Sequence, residues 1–155
     1  MKVLVFNPDL CDGQRGCEET CSQSWFKEVN PDKSAIRIAG TPSRSGGVDD
    51  LDRHGRFLAN FCNQCGQCID VCPTLALKRD RQGIVRIDKK LCVGCLSCVG
   101  FCPMLAMRAL PDSTVPFKCV ACGKCAKQCP RGALSIQEVP DAELTVTEKR
   151  LQGVA

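Results

Sequence analysis

Apolar and polar positions along the chain break into short pieces. Lys2 to Phe6 alternates weakly with β-branched content and predicts a short strand, and Ala35-Ile36-Arg37-Ile38 predicts another. Leu75 to Lys78 and Ile84 to Asp88 flank Arg81-Gln82-Gly83 and predict a hairpin. Ala106 to Leu110 and Ala133 to Val139 predict the equivalent strands further along. Ser22 to Lys27 predicts a short helix carrying Trp25 and Phe26 as core or lid residues. Gly40 to Gly55, rich in Gly, Ser, Pro, Asp and Arg, lacks periodicity and reads as a surface loop, a candidate docking element. After Pro140 the tail predicts either a short helix capped by Asp141 or an arm that orders on a partner. No window holds the long uncharged apolar run that a membrane span requires, so a soluble protein, or one peripheral through a partner, is expected.

With six Phe, one Trp and no Tyr in 155 residues, these pieces bury little apolar surface. The cysteines supply what the core cannot. The pattern C-x2-C-x2-C-x3-C-P occurs three times, as Cys62, Cys65, Cys68, Cys72, Pro73, then Cys92, Cys95, Cys98, Cys102, Pro103, then Cys119, Cys122, Cys125, Cys129, Pro130. This is the bacterial ferredoxin run for an iron-sulfur cubane. Cysteines at intervals of three curl one loop around a cube and set three thiolates on three irons, while the fourth cysteine faces away and serves the partner run's cluster. Gly66, Gly94 and Gly123 sit inside the loops, where a side chain is expected to crowd the cluster. Zinc also uses C-x2-C, but typically as two pairs with a longer separation, and has no use for four cysteines in eleven residues followed by proline.

A fourth run opens the chain with one change. Cys11, Gln14, Cys17 and Cys21 keep the register, with Gln14 where the second thiolate belongs. The offsets from Cys62 to Cys92 and from Cys92 to Cys119 are 30 and 27 residues, so spacing alone does not choose partners. Nesting the runs leaves none without a mate. One cluster then uses Cys62, Cys65, Cys68 and Cys102, its neighbour Cys92, Cys95, Cys98 and Cys72, and a third Cys119, Cys122, Cys125 and Cys21. The remaining site has only Cys11, Cys17 and Cys129, because a neutral carboxamide is a poor ligand for iron. That site is empty, holds zinc with Asp12 or water as a further donor, holds a three-iron cluster, or keeps a cubane with an unusual ligand. The expected fold is α+β: tandem two-cluster ferredoxin-like units of short strands and helices with many loops. Residues 1–39 plus 111–139 form an outer unit, 58–110 an inner unit, 40–57 an inserted loop and 140–155 a tail.

Fifteen cysteines would suggest a disulfide scaffold in a secreted chain. The odd count argues against full pairing, and the apolar run at Met1 to Phe6 is too short for a signal peptide and lacks twin arginines, so reduced thiols in the cytoplasm are expected. The net charge of +4 is no nucleic-acid signal, since each oxidised cubane with its thiolates carries about −2 and makes the loaded protein acidic. The one histidine, His54, lies in the polar loop as a solvated residue. With no Ser-His-Asp set, P-loop or dinucleotide fingerprint, the chain is expected to move electrons without catalysing a reaction itself.

The three runs and the altered fourth resemble the four-run ferredoxin-like subunits that serve molybdenum and tungsten enzymes, hydrogenases and carbon monoxide dehydrogenases, over roughly residues 1 to 139. Lys2-Val3-Leu4-Val5-Phe6-Asn7-Pro8, Cys17-Glu18-Glu19-Thr20-Cys21-Ser22 and Trp25-Phe26-Lys27 are similar, more narrowly, to small subunits beside tungsten aldehyde oxidoreductase-type enzymes, including class II benzoyl-CoA reductase. The resemblance implies a large tungsten-pterin catalytic subunit as partner, with further electron-transfer subunits or a ferredoxin. Gln14 departs from the usual count of four clusters and favours three. Other readings are a hydrogenase-associated or carbon monoxide dehydrogenase-associated subunit, a free polyferredoxin, and, from another class, a zinc-binding structural module.

Overall fold

The computed structural model describes residues 1–39 and 55–153; the loop expected at 40–57 falls almost wholly outside the described residues, and His54 with it. In chain order the elements are β1 (Lys2–Phe6), α1 (Gly16–Phe26), β2 (Arg37–Ala39), β3 (Leu58–Asn60), α2 (Gln67–Asp70), β4 (Leu77–Arg79) and β5 (Val85–Ile87). Then follow α3 (Ser97–Gly100), β6 (Arg108–Leu110), β7 (Ser113–Phe117), α4 (Lys124–Gln128), β8 (Leu134–Glu138) and α5 (Val146–Leu151). The expected helix at 22–27 is the second half of the eleven-residue α1.

Among the described residues the strands form two-stranded antiparallel sheets: β1 with β8, β2 with β3, β4 with β5, and β6 with β7. β1 against β8 sets Leu4 opposite Ile136 and ties the chain's start to residues beyond the last cysteine run. Asn7 N–H to Ala133 O (2.8 Å) and Val139 N–H to Met1 O (2.9 Å) extend that pairing. α1 packs on α4, and α2 lies beside α3. β3 and β7 are strands the sequence pattern did not announce. β3 is only three residues long, and Pro116 within β7 removes a backbone donor, which the sheet tolerates at an irregular register between Arg108 and Leu110.

The apolar core is divided, and thiols are part of it. One cluster gathers Leu4, Ile36, Ile38, Ala106 and Leu134 with Cys62, Cys119 and Cys125. The other gathers Ile69, Leu77, Val85 and Met107 with Cys98. Phe26 meets Phe117 edge to face at 5.1 Å, whereas Trp25 stays half exposed.

The tail corrects an expectation. Thr145, not Asp141, caps the last helix: its hydroxyl accepts from Glu148 N–H (3.3 Å) and Glu148 Oε2 accepts from Thr145 N–H (2.9 Å), a reciprocal capping box. The Asp141 carboxylate instead accepts from the Met1 ammonium at 2.9 Å. α5 is docked rather than free. Thr147 N–H donates to Asp70 Oδ1 (2.8 Å), and the Arg79 guanidinium donates from Nε to Glu148 Oε1 (2.9 Å), both members of that pair being nearly buried.

Burial pushes the Glu148 carboxyl up, but Thr145 N–H and Arg79 outweigh it and hold the group below the usual carboxylate range. A depressed carboxyl contributes stability fully above its ordinary pKa and loses it as pH falls through the lowered value. Replacing Glu148 by Gln is therefore expected to cost about 3 kcal/mol of local stability at pH 7, because it strands Arg79, and progressively less as the medium is acidified. Hydrogen exchange of the α5 amides checks both the loss and its pH trend.

Candidate metal centres

All four cysteine runs share one backbone. The second residue after the opening cysteine has positive φ in each: Gly13 (76°), Gln64 (62°), Gly94 (71°) and Ala121 (48°). The fourth does as well: Arg15 (57°), Gly66 (89°), Leu96 (57°) and Gly123 (78°). The next residue starts α1, α2, α3 or α4, so the third cysteine sits in a helix's first turn. Three residues past the last cysteine of the complete runs, the chain turns again through Leu75 (53°), Leu105 (49°) and Gly132 (64°). The altered first run keeps the loop and loses the second turn, because α1 continues through Cys21 to Phe26.

The expected reason for the loop glycines needs correcting. A Cβ on Gly94 would stand 2.9 Å from Thr114 O, one on Gly123 3.1 Å from Ile136 Cγ1, and one on Gly66 against Arg79 and Thr145. Their obstacles are the chain packed behind each loop, and their positive φ is the second demand.

Runs far apart in sequence converge in space. Cys62, Cys65, Cys68 and Cys102 line one cavity with Val85, Met107 and Lys118. Cys92, Cys95, Cys98 and Cys72 line a second with Leu77, Ile87 and Pro116. Cys119, Cys122, Cys125 and Cys21 line a third with Leu4, Ile36 and Trp25, so Trp25 covers a cavity rather than filling the core. Cys11, Cys17 and Cys129 line a fourth with Asp12, Gln14 and Arg15.

The cavities adjoin one another in succession, the second set beside the first, the first beside the third and the third beside the fourth. Cys98 of the second set acts electrostatically on Cys68 of the first, Cys62 of the first acts on Cys119 of the third, and Cys17 of the fourth acts on Cys125 of the third. All fifteen cysteines are free thiols.

These surroundings suit iron-sulfur groups. Soft thiolates select such clusters, and N–H donors to sulfur stabilise their charge. Gln64 N–H and Ala121 N–H donate to Sγ of Cys62 and Cys119, each at 3.4 Å. Ala76 N–H and Ala106 N–H donate to Cys72 and Cys102, each at 3.3 Å, and Ala35 N–H donates to Cys21 at 3.4 Å. In the fourth cavity Arg15 Nε is buried without a hydrogen-bond acceptor and holds only a long ion pair, 4.0 Å, to Glu18 Oε2, which leaves its donor capacity free beside three thiols.

Sequence reasoning missed the polar groups behind the loops. Arg79 clamps the first loop from outside, its Nη1 donating to Gln64 O (2.8 Å) and Gly83 O (3.0 Å). Gln64, fully buried, and Lys118, nearly so, bridge the first and third runs. No sequence motif marks either, since each is simply an intervening residue beside a cysteine.

Profiles of the 4Fe-4S dicluster domain match residues 61–106 and 84–130. The uncharacterized ferredoxin-like protein YdhX of Escherichia coli (strain K12) is 32% identical over 144 residues, covering 85% of this chain, which spans 63% of that protein's length. The thiosulfate reductase electron transfer subunit PhsB of Salmonella typhi is 34% identical over 154 residues, with 92% of this chain and 78% of that one aligned. Among solved structures, a chain of the active site complex BamBC of benzoyl coenzyme A reductase is 22% identical with a TM-score of 0.46, over 88% of this chain and 79% of that one.

Burial pushes the thiols of Cys17, Cys68, Cys119 and Cys125 up to about 12, and that of Cys98 up to about 11. In the metal-free chain these groups are protonated at neutral pH, while a metal takes the thiolate. Anaerobic reconstitution with iron and sulfide is expected to release about one proton per buried thiol engaged, and to weaken as pH is lowered from 8 to 6. A pH-stat run alongside the growth of visible absorbance measures both.

Proposed function

The chain belongs to the ferredoxin-like family built on the 4Fe-4S dicluster domain, and from that premise we propose that it is an electron-transfer subunit serving a larger catalytic oxidoreductase subunit. The row of four cysteine-lined cavities carries this reading, because a conduit needs carriers in series and an isolated site does not. Bound iron-sulfur groups supply one-electron redox capacity at each position. The chain's own task is to hold them in order, wall them with apolar side chains and offer N–H donors to their sulfurs.

Cys62, Cys65, Cys68 and Cys102 hold one 4Fe-4S cluster in this reading. Cys92, Cys95, Cys98 and Cys72 hold a second, and Cys119, Cys122, Cys125 and Cys21 a third. The α2–α3 packing supports an inner unit over 58–110, and the β1–β8 and α1–α4 packing an outer one over 1–39 plus 111–139. The fourth set, Cys11, Cys17 and Cys129, holds a three-iron cluster rather than zinc or nothing. Gly13 and Arg15 keep the positive φ of the complete loops around Gln14, a conformation costing a non-glycine residue about 1–2 kcal/mol that a disused loop has no reason to retain.

The resemblance of the N-terminal segment supports a tungsten-pterin enzyme as partner, in the cytoplasm, where thiols stay reduced. Among the described residues no helix is long and apolar enough to cross a membrane. Cys95 and Cys122 are exposed, which brings the second and third sets to the surface where a partner can reach them.

Anaerobic purification with its native partner tests this. The expected result is a brown complex with a larger chain, holding about 15 irons and about 16 labile sulfides per copy, reducible by one-electron donors. Gln14→Cys is expected to add about one iron and abolish the signal of an oxidised three-iron cluster in electron paramagnetic resonance. A colourless protein carrying only zinc would overturn the reading.

A further inference from the structure

Lys118 is 4% exposed, and its ammonium donates only to neutral acceptors: Gln64 Oε1 at 2.8 Å and Cys119 O at 3.1 Å. Gln64 is itself fully committed. Its Nε2 donates to Cys119 O (2.9 Å), its Oε1 also accepts from Val85 N–H (3.1 Å), and its own N–H donates to Cys62 Sγ (3.4 Å). Among the described residues no carboxylate pairs with Lys118. Burying a lone cation costs several kcal/mol, so folded proteins supply a counter-charge.

Position identifies that counter-charge. Lys118 lines the cavity of Cys62, Cys65, Cys68 and Cys102, and is the residue before Cys119, which opens the neighbouring set. It stands at the middle of the row, between the first and third sets.

Resting on the cluster assignment above, we infer that Lys118 is the fixed counter-ion of the two central cysteine sets and sets their reduction potentials above that of the outer Cys72, Cys92, Cys95 and Cys98 set. Taking up one electron at a central set adds one negative charge, with no bond made or broken and no proton required. A buried positive charge favours the reduced state there, and the low local dielectric leaves the effect poorly screened. Lys118 acts through space on groups held by others, so it is a positioning residue for charge. An electron therefore rests more stably at the two central sets than at the Cys72, Cys92, Cys95 and Cys98 set, and passage onward to that end is uphill.

Dithionite titration of the intact, iron-loaded protein, followed by electron paramagnetic resonance, tests this, with signals assigned through Cys65→Ser, Cys122→Ser and Cys95→Ser. Lys118→Met is expected to weaken electron uptake at the two central clusters by about tenfold, a shift of about 59 mV to more negative potential, and to leave the outer cluster in place. Lys118→Arg, which keeps the charge, is expected to restore most of the shift. Gln64→Glu leaves the lysine but neutralises it with a near-isosteric partner, and is expected to lower the same two potentials; it decides the matter if Lys118→Met does not fold. Full iron content with unmoved central potentials in Lys118→Met or, failing its folding, in Gln64→Glu would overturn the inference while leaving the electron-transfer reading intact. Absence of cluster signals from the unaltered protein would overturn both.

Discussion

A loop wound through C-x2-C-x2-C can aim three thiolates at one centre, and geometry turns the fourth cysteine away. Completing a four-thiolate set therefore requires another run to be brought alongside, and much of this fold meets that requirement. The β1–β8 pairing joins residues more than a hundred positions apart, α1 packs on α4, and α2 lies beside α3. Each contact sets two runs side by side. The two-stranded sheets serve as struts between loops, and none is broad enough to form a core by itself.

The loops also hold backbone strain. Arg15, Gln64, Leu96 and Ala121 adopt a left-handed conformation that costs a non-glycine residue about 1–2 kcal/mol. What holds them there is local: in every run a helix that starts at once after the second left-handed residue, and at Gln64 and Ala121 an N–H that turns toward sulfur. The first run keeps this conformation although its second cysteine is gone.

Electrostatics divides the molecule into an inside built for anions and an outside that supports it. Without metal, burial keeps the Cys68, Cys119 and Cys125 thiols neutral, and they become thiolates only as metal binds, so cofactor capture and folding share one free-energy change. Behind the loops, Arg79 and Lys118 hold backbone carbonyls with charged donors. Arg79 finds a carboxylate in Glu148, while Lys118 finds only neutral acceptors. That difference separates a residue that braces a loop from one whose charge faces the row of cavities.

Spacing is local information, and it carried the chemistry a long way. Twelve cysteines in three runs announce iron and sulfide before any fold is known, because ligand intervals must match a cube's dimensions whatever surrounds them. The strands at Lys2–Phe6 and Leu134–Glu138 were legible too, since alternation is written in adjacent residues. The Thr145-Val146-Thr147-Glu148 capping box is written in adjacent residues just as plainly. Other features depend on what long-range packing brings near, and no window of sequence encodes that. Gly94 is needed because Thr114 O lies behind it, β7 exists because Arg108 offers Phe117 a partner, and Lys118 matters because Gln64 closes over it from another run. Ligand type and interval belong to the chain read in one dimension; which charges stand unpaired, and beside which cavity, follows from three-dimensional proximity.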